Sequence, residues 1–438
     1  MPGAPRVPAP VRSAPAPAAP SRVPSGRYLR PSRVRMAALF AVLGPGLVSS
    51  FADNDAGGIT TYSLAGAHYG YQLLWVLVVT LVALFVTQEV GARIGLATGQ
   101  GLTGLTRERF GVRWAAFLAI ALLIANLGTT VAEFAGIGAA LGLFGVPLPV
   151  SAILAAVAMV LLISRGSYSR IQVAFVAVGV GVAVAYALSA FMAEPDWGQA
   201  AAALVPHVSD SPAYWLTVVA MMGTTVTPWG QAFIQAYVVD KNLGPEDLAN
   251  ERIDVGLGSL IANVVAAFIL IACAATLWTA GVTNVTDAAQ VAQALGPLVG
   301  EAATVVFALG LLAASLLGLG VVPLSSAYTA CEAFGWEAGV DNRWRQAPAF
   351  YTLLAFFVGF AAVFVLIPGL PLIQVMFLTQ VVNGVLLPIV LVFVLFISAD
   401  RRMMGDLVSG RLLLAVGWVV TAVLALLSVL LVATALLA

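Results

Sequence analysis

The sequence predicts an all-α polytopic membrane protein of eleven transmembrane helices, arranged as two inverted five-helix repeats whose first and sixth helices are broken. Three observations carry this reading. Of 438 residues, 61% are hydrophobic and 9% charged, with a mean hydropathy of +1.01, a composition of membrane-spanning rather than soluble chains. Apolar runs long enough to cross ~30 Å of hydrocarbon recur along the chain. Two of them, at corresponding places in the two halves, are interrupted by polar stretches rich in glycine or proline.

The first 35 residues carry Arg6, Arg12, Arg22, Arg27, Arg30, Arg33 and Arg35, no acid and many Pro and Ala, and 1–35 reads as a disordered basic cytoplasmic tail. No small-residue cleavage pattern follows a short apolar core, so a secretory signal is not expected. The membrane domain, 36–438, contains spans near 37–67, 72–92, 114–142, 148–164, 171–193, 213–239, 255–279, 297–322, 348–367, 370–398 and 412–437. The inverted repeats occupy about 37–193 and 213–398, and 412–437 is an added final helix.

With the tail in the cytoplasm, the remaining cations fall in the inside loops with Arg93 to Arg113, Arg165 and Arg170, Lys241 and Arg252, Arg343 and Arg345, and Arg401 to Arg411. All twenty Lys and Arg then lie on one face, which sets the N-terminus inside and the C-terminus outside a bacterial-type inner membrane. The opposite face carries Glu194, Asp196, Asp210, Asp287 and Glu301 without Lys or Arg, either an acidic mouth that concentrates cations or a solvated loop rim. Cys273 and Cys331 lie in different segments and read as small apolar residues. His68 and His207 sit at a helix end and in an outer loop, so neither belongs to a metal constellation. The expected partners are lipid and a small cation, with no nucleic acid, and the chain reads as a monomer.

The first break runs from Phe51 to Gly58 and contains Asp53, Asn54 and Asp55 before Gly57-Gly58. A carboxylate at bilayer depth costs at least ~2.5 kcal/mol, and an unwound turn frees backbone groups that lipid cannot satisfy. Such a segment persists if it lines a cavity holding something positive. In the second break, Gly223 to Gln231, Pro228 removes a helical donor and Gly230 loosens the following turn. A lone proline kink is commonly only a bend. Two polar breaks at repeat-related positions place a substrate site between them. Mid-span Glu133 reads either as a functional carboxylate or as one tying helices together. Glu89, toward the inner end of its span, reads as structural and solvated. Gln380 and Asn383 either complete the site or hydrogen-bond between helices.

Gly44-Pro45-Gly46 precedes the first break, and Ala65-Gly66-Ala67-His68-Tyr69-Gly70-Tyr71-Gln72-Leu73-Leu74-Trp75 and Ala92-Arg93-Ile94-Gly95-Leu96-Ala97-Thr98-Gly99 follow it. Thr129-Thr130-Val131-Ala132-Glu133-Phe134-Ala135-Gly136, Thr225-Val226-Thr227-Pro228, Thr379-Gln380-Val381-Val382 and Leu386-Leu387-Pro388 continue the pattern. From about residue 36 to the end, this combination closely resembles the NRAMP family of divalent-metal transporters. The resemblance implies a LeuT-like fold, a metal as transported substrate, no cofactor and no enzymatic activity.

The departures matter as much. Where the family carries Asp-Pro-Gly-Asn, this chain has Asp55-Ala56-Gly57-Gly58, so Asp55 is kept and the Asn ligand becomes Gly58. The family's Met-Pro-His becomes Thr227-Pro228-Trp229, and an Asp linked to proton transfer aligns with Thr130 while Glu133 remains. The pattern resembles the NRAMP-related magnesium transporter branch. A thioether favours transition ions, so its replacement by Thr227 removes that preference. Mg²⁺ takes octahedral oxygen ligands at ~2.1 Å and sheds water reluctantly. The resemblance therefore implies a partly hydrated ion anchored by Asp55, with carbonyls near Ala52 and Thr224, the Thr227 hydroxyl, and space left at Gly58. Asp53, Asn54, Glu133, Thr130, Trp229, Gly230, Gln231, Gln380 and Asn383 are the expected cavity residues, with Trp229 also suited to helix packing. With no intramembrane His, the proton route lacks relay groups, and transport is expected to be uncoupled. The alternatives are a proton-coupled Mn²⁺/Fe²⁺ symporter and a sodium-coupled amino-acid carrier. An aspartyl hydrolase is disfavoured, because Asp53 and Asp55 lie two apart on one segment.

Overall fold

In hydrocarbon a backbone must satisfy its own hydrogen bonds, and this chain does so by helices. The computed structural model describes residues 54–164, 180–181, 183–241, 243–339 and 344–437. The principal helices are α1 Ala56–Tyr69, α2 Leu74–Thr98, α3 Leu102–Phe110, α4 Val112–Gly142, α5 Leu148–Ser164, α6 Ala183–Met192 and α7 Pro212–Thr225. They continue with α8 Pro228–Asp240, α9 Leu248–Cys273, α10 Ala303–Phe334, α11 Pro348–Phe364, α12 Leu372–Ala399 and α13 Arg411–Leu437. Among the described residues six helical stretches, containing α2, α4, α9, α10, α12 and α13, are long and apolar enough to cross a membrane. Shorter apolar helices lie within α5, α6 and α11.

The tail, the opening of the first expected span and the beginning of the fifth lie outside the described residues. The sixth expected span divides, as its sequence requires, into α7 and α8. The eighth is displaced from the expected 297–322. Gly296, Pro297 and Gly300, the last at φ +54°, cut its beginning into short turns, while α10 runs through Pro323 to Phe334. One missing donor does not stop a helix whose neighbours bury it. The second span also runs past its expected end to Thr98, where Gly99 turns left-handed at φ +64° and donates to the Gly95 carbonyl. The seventh starts early, at Leu248, and passes into a π-turn over Ala274–Trp278.

Small residues set how closely the central helices approach. A Cβ at Gly223 of α7 would run into the Gly384 nitrogen and the Gln380 carbonyl of α12, and one at Gly384 into the Val219 carbonyl. A Cβ at Gly136 of α4 would strike Ala56 of α1 and Ser315 of α10. These backbone contacts bring α1, α4, α7, α10 and α12 around one centre.

At the opposite end of α2, Glu89 is 2% exposed and takes Arg93 at 2.5 Å and Arg252 of α9 at 2.8 Å. Arg93 also donates to the Leu407 carbonyl at 3.3 Å. The solvated Glu89 expected from sequence is thus corrected. The residue is structural, but its charge is balanced by two guanidinium groups in a dry setting. Removing the shared partner leaves Arg93 buried and uncompensated, whereas Arg252 is half exposed. Glu89→Ala should cost ~3 kcal/mol and Arg252→Ala ~1 kcal/mol or less, read as the order of thermal midpoints of the purified protein.

Candidate functional site

Helices α1 and α8 both begin on a side-chain cap. Asp55 has extended backbone and its Oδ1 accepts the Gly58 N–H at 2.7 Å, which fixes the first turn of α1. Thr227 does the same for α8, accepting the Gly230 N–H at 3.2 Å ahead of Pro228 at the first helical position. Gly58 and Gly230 therefore supply N–H donors to caps. The Gly58 amide is thus engaged with Asp55, while the position still carries no side chain.

Helix α7 ends at Thr225, and the Thr224 carbonyl has no helical donor because the residue four positions on, Pro228, carries no N–H. The Thr224 hydroxyl is buried and unpartnered as well. The two breaks are tied directly: Tyr62 of α1 donates to Thr225 Oγ1 at 2.8 Å, and the Thr225 hydroxyl donates to the Met221 carbonyl at 2.7 Å.

Asp55 Oδ2 is buried and accepts no hydrogen bond. Glu133 of α4, fully buried, sits close enough for the two carboxyls to feel each other's charge, and both its oxygens are unpartnered. It occupies the space left by Gly318 of α10, where a Cβ would strike Oε1. Among the described residues neither acid is ion-paired. The Gln380 amide of α12 lies against Gly57, at the place a Cβ would fill. Asn383 donates to Gln380 Oε1 and to Thr129 Oγ1 of α4, each at 2.9 Å, so it steadies Gln380 while joining α4 to α12. Its own Oδ1 remains unpartnered.

Other expected site residues fall elsewhere. Asn54 gives an amide hydrogen to the Ala262 carbonyl of α9 at 3.4 Å, where α9 packs against the start of α1. Thr130 donates back along its own helix to the Asn126 carbonyl at 2.7 Å. Trp229 packs with Leu317, Val321 and Val322 of α10 and edge-on to Phe233 at 5.8 Å. Gln231 is fully buried with neither end of its amide bonded. Ala52 and Asp53 lie outside the described residues. Sequence reasoning missed Tyr62, Ser315 and Gly318, which carry no charge and match no motif; the small-residue spacing of Ser315 and Gly318 was the available signal.

Two buried carboxylates without cationic partners cost several kcal/mol unless protons or a cation neutralise them. Among the described residues no group of three or more His, Cys, Asp or Glu is placed to hold a metal. A metal here would rest on the two acids, neutral oxygens such as those of Thr224, Thr227 and Gln380, and water, a hard-ion donor set. The positive ends of α1 and α8 oppose a cation, and at α1 the capping carboxylate reverses that.

The family model for natural resistance-associated macrophage protein-like (Nramp) proteins matches residues 46–434. The chain belongs to the Nramp family. It is 31% identical over 409 residues to the divalent metal cation transporter MntH of Erwinia tasmaniensis, covering 91% of this chain and 95% of the relative. It is 29% identical over 394 residues to the protein of the same name from Deinococcus radiodurans, covering 87% of each. These relatives are metal-ion transporters rather than enzymes, and their metal is cargo rather than cofactor. In fold, the chain is similar to the Eremococcus coleocola manganese transporter in complex with an aromatic bis-isothiourea compound, at TM-score 0.74 and 19% identity over 92% of this chain and 88% of that one. It is also similar to Mhp1, a nucleobase-cation-symport-1 family transporter in a closed conformation, at TM-score 0.56 and 16% identity over 89% and 90%. The Nramp chain is thus an integral membrane protein with a LeuT-like helical fold.

The double role of Asp55 separates charge from capping. Asp55→Asn keeps a good cap and should leave the thermal midpoint within error while abolishing divalent-ion binding by calorimetry. Asp55→Ala should lose binding and also ~1 kcal/mol of stability. Retained binding in Asp55→Asn would remove Asp55 as the anchor.

Proposed function

We propose that this Nramp protein imports divalent metal ions by alternating access, taking Mg²⁺, and Mn²⁺ with it, as partly hydrated ions without proton coupling. It works as a monomer of eleven spans in the inner membrane, N-terminus inside and C-terminus outside, and belongs to the magnesium-transporting branch. The observation that carries the reading is that Asp55 and Glu133, buried side by side, meet each other and no cation among the described residues. Asp55 is the anchor. Oxygen from Thr224 and Thr227 and ordered water complete the shell, and the position of Thr227 offers no sulfur. At Gly58 no side chain takes up room that the water needs. Thr130, spent on its own helix, takes no proton.

A second reading, a proton-coupled Mn²⁺ symporter, is favoured by one observation: Glu133, buried and unpaired next to Asp55, is a carboxyl that could carry a proton when the site is empty. The curated relatives' naming as divalent metal cation transporters is compatible with both.

Uptake into proteoliposomes carrying a pH reporter separates them. Mg²⁺ uptake should proceed with no metal-dependent acidification, and acidification would sink the uncoupled mechanism. In the same vesicles Gly58→Asn combined with Thr227→Met should shift preference toward Mn²⁺ over Mg²⁺ about tenfold, ~1.4 kcal/mol. An unchanged ratio would place selectivity elsewhere.

A further inference from the structure

We propose that Met376 is a soft-metal contact at the threshold of the Asp55 site, through which transition and heavy divalent ions meet a sulfur that Mg²⁺ passes by. The proposal rests on the reading that a divalent ion crosses between the two helix breaks. Met376 is fully buried on α12, and its Sδ accepts the Thr60 hydroxyl of α1 at 3.6 Å. It precedes Gln380 by four residues, so the two share a face of α12 one turn, ~6 Å, apart. Thr60 likewise follows Gly57 by three residues on α1. The contacts Gly57 to Gln380 and Thr60 to Met376 are therefore successive rungs of one seam between α1 and α12. The rung at Gly57 adjoins the Asp55 cap; the rung at Thr60 lies one turn further along α1.

A buried methionine commonly does no more than fill space. Here the sulfur is turned to a hydroxyl, on the same helix face as the amide that borders the site. When α1 and α12 part, as passage along this seam requires, Sδ and Thr60 Oγ1 are released together into the opening. A thioether then favours soft and borderline ions, while the hard ion is retained only by oxygens deeper in.

Cd²⁺ is the probe, against Mg²⁺ as reference, in proteoliposomes of the full chain. Met376→Leu, close in volume, should raise the half-inhibitory Cd²⁺ concentration relative to the Mg²⁺ KM about tenfold. Thr60→Val, which frees the sulfur of its donor, should lower the same ratio, and a rise would count against the proposal. A ratio unchanged in Met376→Leu overturns the proposal. X-ray absorption on protein loaded with one equivalent of Cd²⁺ reads the same point: a sulfur neighbour is expected in wild type and lost in Met376→Leu, and a shell without sulfur in wild type, or one unchanged in the variant, overturns it. Absence of both Mg²⁺ and Mn²⁺ uptake in wild type, with the Cd²⁺-sulfur signal present, would defeat the transport reading and leave Met376 as a metal contact.

Discussion

The centre of this protein depends on one carboxylate doing two jobs. Asp55 Oδ1 holds the first turn of α1 through Gly58, which leaves Oδ2 buried and unspent. Were Asp55 only a cap, an Asn or Ser would serve as well and carry no charge into the membrane. Were it only a charge, the Gly58 bond that fixes its direction would be missing. Capping sets the orientation of the side chain, and burial makes its free oxygen demand a partner. Thr227 repeats the arrangement on α8 with a neutral oxygen, so of the two caps only Asp55 carries a charge.

The second acid depends on the first through packing. Glu133 reaches the break because α4 lies hard against α1 and α10 at Gly136, where a Cβ would strike Ala56 and Ser315, and because Gly318 leaves room for its carboxyl. The same economy brings α12 in at Gly57 and Gly384. Lipid supplies no hydrophobic pressure between helices, so close backbone approach and shared polar contacts hold such a bundle. Tyr62 to Thr225, Asn126 to Ser326 at 3.0 Å, and Asn383 to Thr129 are those contacts, and each lies within about two turns of the breaks. The polar residues that shape the site thus also assemble it.

These links explain what was legible beforehand. The two breaks announced themselves because a charge or a proline inside an apolar run is costly, and α7 and α8 divide where Pro228 required. Asp55, Glu133 and Gln380 were legible for the same reason. What escaped were directions and distances. Nothing in the run of letters says that Asn54 turns to α9 or that Thr130 bonds its own helix. The start of α10 was misplaced because Gly296, Pro297 and Gly300 are apolar enough to pass as membrane while they favour turns. Glu89 was read as solvated because its two partners come from one turn on and from another helix 163 residues away.

The closed contacts on the two sides of the breaks differ in kind, and the difference bears on how such a site exchanges its cargo. Toward Tyr69, the seam of α1 and α7 against α12 is built of glycine contacts and neutral hydrogen bonds, each worth ~1 kcal/mol or less. Toward Thr98, α2 meets α8 through Gly91 and Gly95, and at the same level buried Glu89 and Arg93 form an ionic cluster with half-exposed Arg252 of α9. Because Glu89 and Arg93 share α2, separating α2 from α9 parts Glu89 only from Arg252, whereas the neutral end has many small, separable contacts. On the other side, a movement that keeps Glu89 and Arg93 together and surrenders only Arg252, already half in water, is the one that avoids burying a bare charge.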